Sequence, residues 1–322
     1  MSISVLGAGS WGSALAIMMS HVSAVTLWSR NYDQVLCINK KRINSQYLDD
    51  ILFPANITAT TDFGDALNSE LIIIALPTSA LRNVMLQISQ EGKRAIIPDI
   101  IWACKGFELN SGLLPHQIVH EVCPQLSNVG ALLGPSFAKE AALGLPTAVS
   151  LVSNDLLFIA KWIQHLKAIP NFRIYANCDV IGSEVGAAVK NIMAIAVGIA
   201  DGLNLGNNAR SALITRSLNE LGLLIIKLGG CFETVYGLTG VGDLILTCTG
   251  DLSRNRNVGL QLAKGYKIDA ILAQLGHVAE GVNAALEVYK MSINLGLEMP
   301  IINTVYRIIY ENANIVDSVN SL

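Results

Sequence analysis

Short apolar runs alternate with stretches of helical period through the first half of the chain. The runs at 3–6, 25–28, 71–76, 99–103, 129–133, 147–152 and 172–175 predict strands. Several are apolar throughout, the pattern of a strand covered on both faces. Between them, 13–20, 32–42, 113–122 and 155–166 predict helices. Strand, helix, strand in repetition implies a mostly parallel sheet with helices on both sides. After about Val180 the strand-like runs nearly vanish. Helical patterns follow at about 181–203, 208–228, 257–264, 280–294 and 300–311, broken by Gly229-Gly230 and Gly240-Val241-Gly242. This change of pattern sets two domains, 1–180 and 181–322.

The first strand ends in Gly7-Ala8-Gly9-Ser10-Trp11-Gly12, which opens the first helix. Each glycine has a mechanical reason: Gly7 for the tight turn, Gly9 for close approach of a pyrophosphate, Gly12 for helix-on-strand packing. The helix start then offers free N–H groups and a positive dipole end. The motif alone is weak, but a strand before it and a helix after it are its confirming context. The expected architecture is therefore α/β: an N-terminal Rossmann-like doubly wound sheet that binds NAD(P), followed by an all-α C-terminal domain. At the end of the second strand, Leu27-Trp28-Ser29-Arg30-Asn31 has no acid to hold a ribose 2′-hydroxyl. Arg30 suits a 2′-phosphate instead, so NADPH is expected to be accepted beside NADH.

Composition narrows the remaining classes. The 322 residues are 52% apolar and 15% charged, with a mean hydropathy of +0.46, which excludes a disordered chain and hints at apolar surface buried between subunits. Net charge is −3 without a basic run, so no nucleic-acid partner is expected. The six cysteines form no C-x-x-C pair, which fits reduced thiols in a cytoplasmic protein rather than a metal or redox centre. His116 and His120 stand four apart without a third ligand, and no metal is expected. The first residues show no basic segment followed by an apolar stretch, so no signal peptide is expected. The long apolar stretch 185–200 is interrupted by Lys190 and falls short of the ~20 residues of a membrane span; it reads as a buried core helix, with no membrane partner.

That lysine is the sharpest chemical feature. Burial disfavours an ammonium and lowers its pKa toward neutrality, and Gly186, Ala187, Met193 and Ala194 leave a narrow helix face around it. Carbonyl reduction by a nicotinamide needs one group to exchange a proton with the oxygen. The alternative is a lysine snorkelling out of a core helix. Ser253 reads as a helix cap, leaving N–H groups for an anion beside Arg254. Asp243 follows two glycines, where it either bonds a substrate hydroxyl, fixes a lysine or caps a helix.

Together these segments resemble the bacterial-type NAD(P)-dependent glycerol-3-phosphate dehydrogenases. The resemblance is carried by Gly7 to Gly12, Trp102-Ala103-Cys104-Lys105-Gly106, Gly134-Pro135-Ser136-Phe137-Ala138-Lys139-Glu140, Gly144 to Ala148, Ala188-Val189-Lys190-Asn191, Asn208 to Arg216, Gly242-Asp243-Leu244 with Thr247-Cys248-Thr249, Ser253-Arg254-Asn255-Arg256 and Glu280-Gly281. It implies reversible reduction of dihydroxyacetone phosphate to sn-glycerol 3-phosphate, supplying the glycerophospholipid backbone, in a homodimer. It makes Lys190 the proton donor and acceptor and puts Lys105 between cofactor and substrate, with Asp243 in the catalytic group. Substrate contacts fall to Lys105, Gly134, Ser136, Lys190, Asp243, Ser253, Arg254 and Asn255. Cofactor contacts fall to Gly7, Gly9, Ser10, Trp11, Gly12, Arg30, Lys105, Ala138, Arg254, Val278 and Glu280. Two alternatives stay open at this level: a related hydroxy-acid dehydrogenase, and a non-catalytic dinucleotide sensor.

Overall fold

The structure, a computed structural model, describes residues 1–90, 98–275 and 279–320. Val278 and His277 lie outside the described residues. Contacts divide the chain into two units, Met1–Cys104 with Pro115–Val180, and Lys105–Leu114 with Ile181–Leu322. A single cut near residue 180 therefore leaves Lys105–Leu114 on the wrong side. Phe107 and Leu114 are buried among the helices of the second unit, a long-range packing preference that local periodicity does not carry.

The first unit holds β1 (Ser2–Leu6), α1 (Ser10–Met19), β2 (Ala24–Trp28), α2 (Tyr32–Lys41), β3 (Ile57–Thr60), α3 (Phe63–Ala66), β4 (Leu71–Ile74) and α4 (Thr78–Gln90). It continues with β5 (Asp99–Trp102), α5 (Pro115–Val122), β6 (Val129–Leu133), α6 (Ala138–Ala142), β7 (Thr147–Val152), α7 (Leu156–Leu166) and β8 (Phe172–Asn177). The strands form one sheet in the order β3-β2-β1-β4-β5-β6-β7-β8. Every neighbouring pair is parallel except β6 with β7. All four residues of β4 are fully buried, as a strand covered on both faces requires. The strand order reverses at β1, between β2 and β4, and ligands of such sheets gather at the carboxyl ends of the strands there. β3, with the sequence Ile-Thr-Ala-Thr, escapes the apolar-run test because it is a half-polar edge strand.

The second unit is helical: α8 (Val180–Gly202), α9 (Gly206–Lys227), α10 (Asp243–Thr249), α11 (Arg254–Ala263), α12 (Ile268–Leu275), α13 (Glu280–Leu295), α14 (Pro300–Tyr310) and α15 (Ile315–Asn320). α8 is long and apolar enough to cross a membrane by composition, but 94% of its most apolar window is buried inside the protein. Its residues from Val185 to Ile199 supply much of the buried apolar cluster of this unit. Backbones approach it closely at two glycines. A Cβ at Gly186 would fall on the Thr239 carbonyl oxygen, and one at Gly198 on the Arg256 carbonyl oxygen. A π-type turn, Leu238–Gly242, leads directly into Asp243 at the start of α10.

Candidate active site

In the first unit the glycine turn has the shape its sequence predicts. Gly7 adopts φ +112°, a region open to glycine and strained for other residues. Its N–H donates to Trp28 O at 3.0 Å. A Cβ at Gly12 would fall on the Gly7 carbonyl oxygen, whereas Gly9 has open space where its Cβ would be. α1 starts at Gly9 with no side-chain cap, so its first N–H groups are left to a ligand. Trp11 packs against the core of the unit, and its Nε1 is buried without a hydrogen-bond partner among the described residues. An uncapped helix start, an open Gly9 and an unsatisfied indole N–H fit an anionic dinucleotide.

Two side chains that sequence reasoning missed hold this turn from beneath. Gln34 Nε2 and the buried Asn44 Nδ2 both donate to Ala8 O, at 2.8 and 2.9 Å, and Asn44 Nδ2 also reaches Ser13 Oγ at 2.8 Å. A polar residue in a loop 31 positions beyond Ser13 leaves no local signal. Gly12→Ala is expected to push the Gly7 carbonyl aside, weakening NADPH binding about tenfold or more and costing about 1–3 kcal/mol of stability. Fluorescence titration with NADPH and thermal melting measure both.

The remaining candidates of this unit lie at other strand ends. Arg30 is exposed after β2, next to Asn31, whose side chain caps α2. Gly134 follows β6 with φ +132°. Ser136 Oγ donates to Gly134 O at 2.9 Å, and Ala138 opens α6 half-buried.

The second unit brings the charged candidates together. Asp243, 1% exposed, bridges two lysines: Oδ2 accepts from Lys105 Nζ at 2.9 Å and Oδ1 from Lys190 Nζ at 2.5 Å. Lys190 Nζ also donates to Thr247 Oγ1 at 3.1 Å, and Thr247 Oγ1 donates to Asp243 O at 2.6 Å. Burial pushes the Lys190 ammonium down from its usual value to about 8. Asp243 works against that change by favouring the cation, and Lys105 adds to it through like-charge repulsion. Thr247, which the sequence marks only as part of a matching motif and gives no role, is a member of this cluster, one helical turn after Asp243. The neighbouring Cys248 thiol is pushed up to about 12 by burial, so it stays protonated and is no nucleophile at neutral pH.

Beside the lysines runs a second polar chain. Gly281 N–H donates to Asn255 Oδ1 at 3.1 Å, and Asn255 Nδ2 to Asn191 Oδ1 at 2.9 Å. Asn191 Nδ2 lies 3.5 Å from Glu280 Oε2. Burial raises the Glu280 carboxyl above its usual range, while the charges of Arg254, Lys105 and Lys190 draw it back. The chain thus gathers Asn191, Asn255 and Glu280 around α8; Asn191 is a second residue that sequence reasoning left without a role.

Ser253 caps α11 as predicted, its Oγ accepting from Arg256 N at 3.2 Å. The N–H groups of Arg254 and Asn255 precede that bond and point out of the helix start, with the exposed Arg254 side chain beside them. Among the described residues no group of three metal-ligating side chains occurs.

A βα turn of this build at the reversal point of a parallel sheet binds dinucleotides, and a buried lysine whose pKa burial lowers to about 8 is a group suited to proton exchange in carbonyl–alcohol chemistry. The class so defined is that of dinucleotide-dependent dehydrogenases. Known proteins make it specific. The N-terminal and C-terminal family models of NAD-dependent glycerol-3-phosphate dehydrogenase match residues 2–158 and 179–320. The glycerol-3-phosphate dehydrogenase (NAD(P)+) of Thiobacillus denitrificans is 49% identical over 323 residues, covering 100% of this chain and 97% of its own length. That of a Janthinobacterium species is 47% identical with the same coverage. The crystal structure of glycerol-3-phosphate dehydrogenase from Coxiella burnetii superposes with a TM-score of 0.94 at 38% identity, over 99% of this chain and 98% of that one. The chain belongs to the NAD-dependent glycerol-3-phosphate dehydrogenase family, and it is an oxidoreductase that uses NAD(P).

Proposed function

We propose that the chain reduces dihydroxyacetone phosphate to sn-glycerol 3-phosphate with NADPH or NADH, reversibly, and that Lys190 exchanges the proton. The observation that carries this reading is the Lys105–Asp243–Lys190 cluster, in which a buried lysine titrates near 8. The start of α11, with Arg254 beside it, is available to an anion. When bound, the nicotinamide supplies the hydride. The protein's own residues do the rest. Lys190 gives its proton to the carbonyl oxygen as that oxygen becomes an alcohol, and takes it back in the oxidation. Lys105 draws electron density toward the same oxygen, which lowers the barrier to hydride arrival. Asp243 keeps both ammonium groups in place and bonds the substrate hydroxyl.

Ser253, Arg254 and Asn255 take the phosphate dianion, through main-chain N–H groups at the start of α11 and the Arg254 guanidinium. Gly134 and Ser136 are assigned to the substrate as well. Gly7, Gly9, Ser10, Trp11 and Gly12 are assigned to the pyrophosphate of the cofactor and Arg30 to its 2′ position; Ala138, Arg254 and Glu280 are assigned to the cofactor as well. The finer setting is a homodimer in the cytoplasm that feeds glycerophospholipid synthesis. Free cysteines and the exposed Leu223 and Ile226 of α9 support it.

The test is NADPH oxidation at 340 nm with dihydroxyacetone phosphate, repeated with NADH and with unphosphorylated dihydroxyacetone. Turnover that depends on the phosphate is the expected result, with the ratio of the two cofactors reporting on Arg30. Protein that binds NADPH yet reduces neither ketone overturns the reading.

A further inference from the structure

Arg256 ends the Ser253-Arg254-Asn255-Arg256 segment, and its charge suggests a second phosphate ligand. Its side chain faces another way. Arg256 Nε donates to Asp201 Oδ2 at 2.8 Å, and Nη1 to the exposed Asp251 Oδ1 at 3.2 Å. The other Asp201 oxygen is taken by Arg210, with Nε and Nη2 both at 2.8 Å. Asp201 is 7% exposed, and the two arginines are 14% and 30% exposed. One buried carboxylate near the end of α8 therefore holds an arginine from α9 and an arginine from the first turn of α11. Arg210 belongs to the segment Asn208-Ala209-Arg210, which the reaction itself leaves without a task.

A second, independent contact fixes the same residue. The Arg256 carbonyl oxygen occupies the place a Cβ at Gly198 would take, so the main chain of Arg256 rests directly on α8, one helical turn before Asp201. Its N–H completes the Ser253 cap. Side chain, carbonyl and amide of Arg256 are all committed, and each commitment fixes where the start of α11 stands. That placement, with the Asn255–Asn191 bond on the same turn, aims the N–H groups of Arg254 and Asn255.

We infer that Asp201 is a positioning residue for phosphate recognition: through Arg256 it sets the first turn of α11, and it keeps the Arg256 charge from competing with Arg254 for the phosphate. This rests on the assignment of the α11 start to the substrate phosphate. Without Asp201 the Arg256 guanidinium loses its buried counter-charge two residues from Arg254, keeps only the exposed Asp251, and can draw the dianion out of register. A misplaced phosphate misplaces the carbonyl it carries.

Asp201→Asn and Arg256→Lys test the inference, assayed with dihydroxyacetone phosphate and with unphosphorylated dihydroxyacetone. In Asp201→Asn, kcat/KM for the phosphorylated ketone is expected to fall about tenfold or more, the scale of a lost charge-assisted contact, mainly through KM. The value for dihydroxyacetone should fall far less, so the ratio of the two collapses. Arg256→Lys keeps the charge but loses the fork, and changes the ratio in the same direction by less. Equal losses on both substrates, or an unchanged ratio, overturn the role of Asp201. If Asp201→Asn does not fold, judged by far-UV circular dichroism and NADPH binding, the ratio in Arg256→Lys decides alone. A wild-type protein that shows no preference for the phosphorylated ketone overturns the phosphate assignment itself, which is a separate outcome.

Discussion

Lys190→Ala is expected to lower kcat for dihydroxyacetone phosphate reduction by about 10²- to 10⁴-fold, the usual worth of a positioned acid or base, with NADPH affinity unchanged. The cofactor turn is in the other unit and shares no residue with Lys190, so stopped turnover with intact binding separates chemistry from binding. The pH dependence gives the sign of the role. Burial brings Lys190 to about 8, and in the mechanism proposed for it reduction uses its ammonium form. In wild-type protein kcat/KM for reduction should therefore fall as pH rises through about 8, while kcat/KM for glycerol 3-phosphate oxidation, which uses the free amine, should rise over the same range. Both limbs disappear in Lys190→Ala. If a limb near pH 8 persists in the variant, another group carries the proton.

Much of this site is legible in the amino-acid sequence. A lysine inside 16 nearly unbroken apolar residues, 185–200, has only burial or snorkelling open to it, and a glycine turn between strand and helix has few other uses. The partners are not legible. Asp243 lies 53 residues from Lys190 and 138 from Lys105, and nothing in the three local sequences says that one carboxylate bridges both. Thr247 and Asn191 join by the same long-range packing. Segment Lys105–Leu114 marks the limit most clearly: it follows a strand of the first unit in sequence but packs with the second, a choice made by where Phe107 and Leu114 find cover. Short elements hide for a different reason. β3 is only four residues with two polar positions, and α10 begins straight out of a glycine-rich π-type turn, where helical period has no length in which to show.

Asp243→Asn has the other large expected effect, and it acts on two properties at once. The carboxylate is the nearest favourable charge to the Lys190 ammonium and opposes the burial that drives its pKa down. An amide removes that support, so the Lys190 pKa falls further below 8. At pH 7 less of the lysine then carries the proton that reduction needs. Once the pKa lies below the assay pH, lowering it by a further 1 removes about tenfold of the acid form. The reduction profile moves toward acid, and activity partly recovers as the pH is lowered. Stability changes with the opposite slope. Leaving buried cations without their carboxylate costs about 3–5 kcal/mol when the charge is retained. For a lysine whose folded pKa is depressed, that cost is present at low pH and vanishes above the unfolded pKa of about 10.4, where neither state is charged. The melting temperature of Asp243→Asn should therefore lie furthest below wild type at low pH, with the gap narrowing as pH rises through about 8, above which Lys190 is neutral in both folded proteins. An acid-displaced rate profile without a narrowing gap would mean that Asp243 stabilises through Lys105 rather than Lys190. A narrowing gap with an unmoved profile would mean that the proton Lys190 carries is not the one the reaction uses.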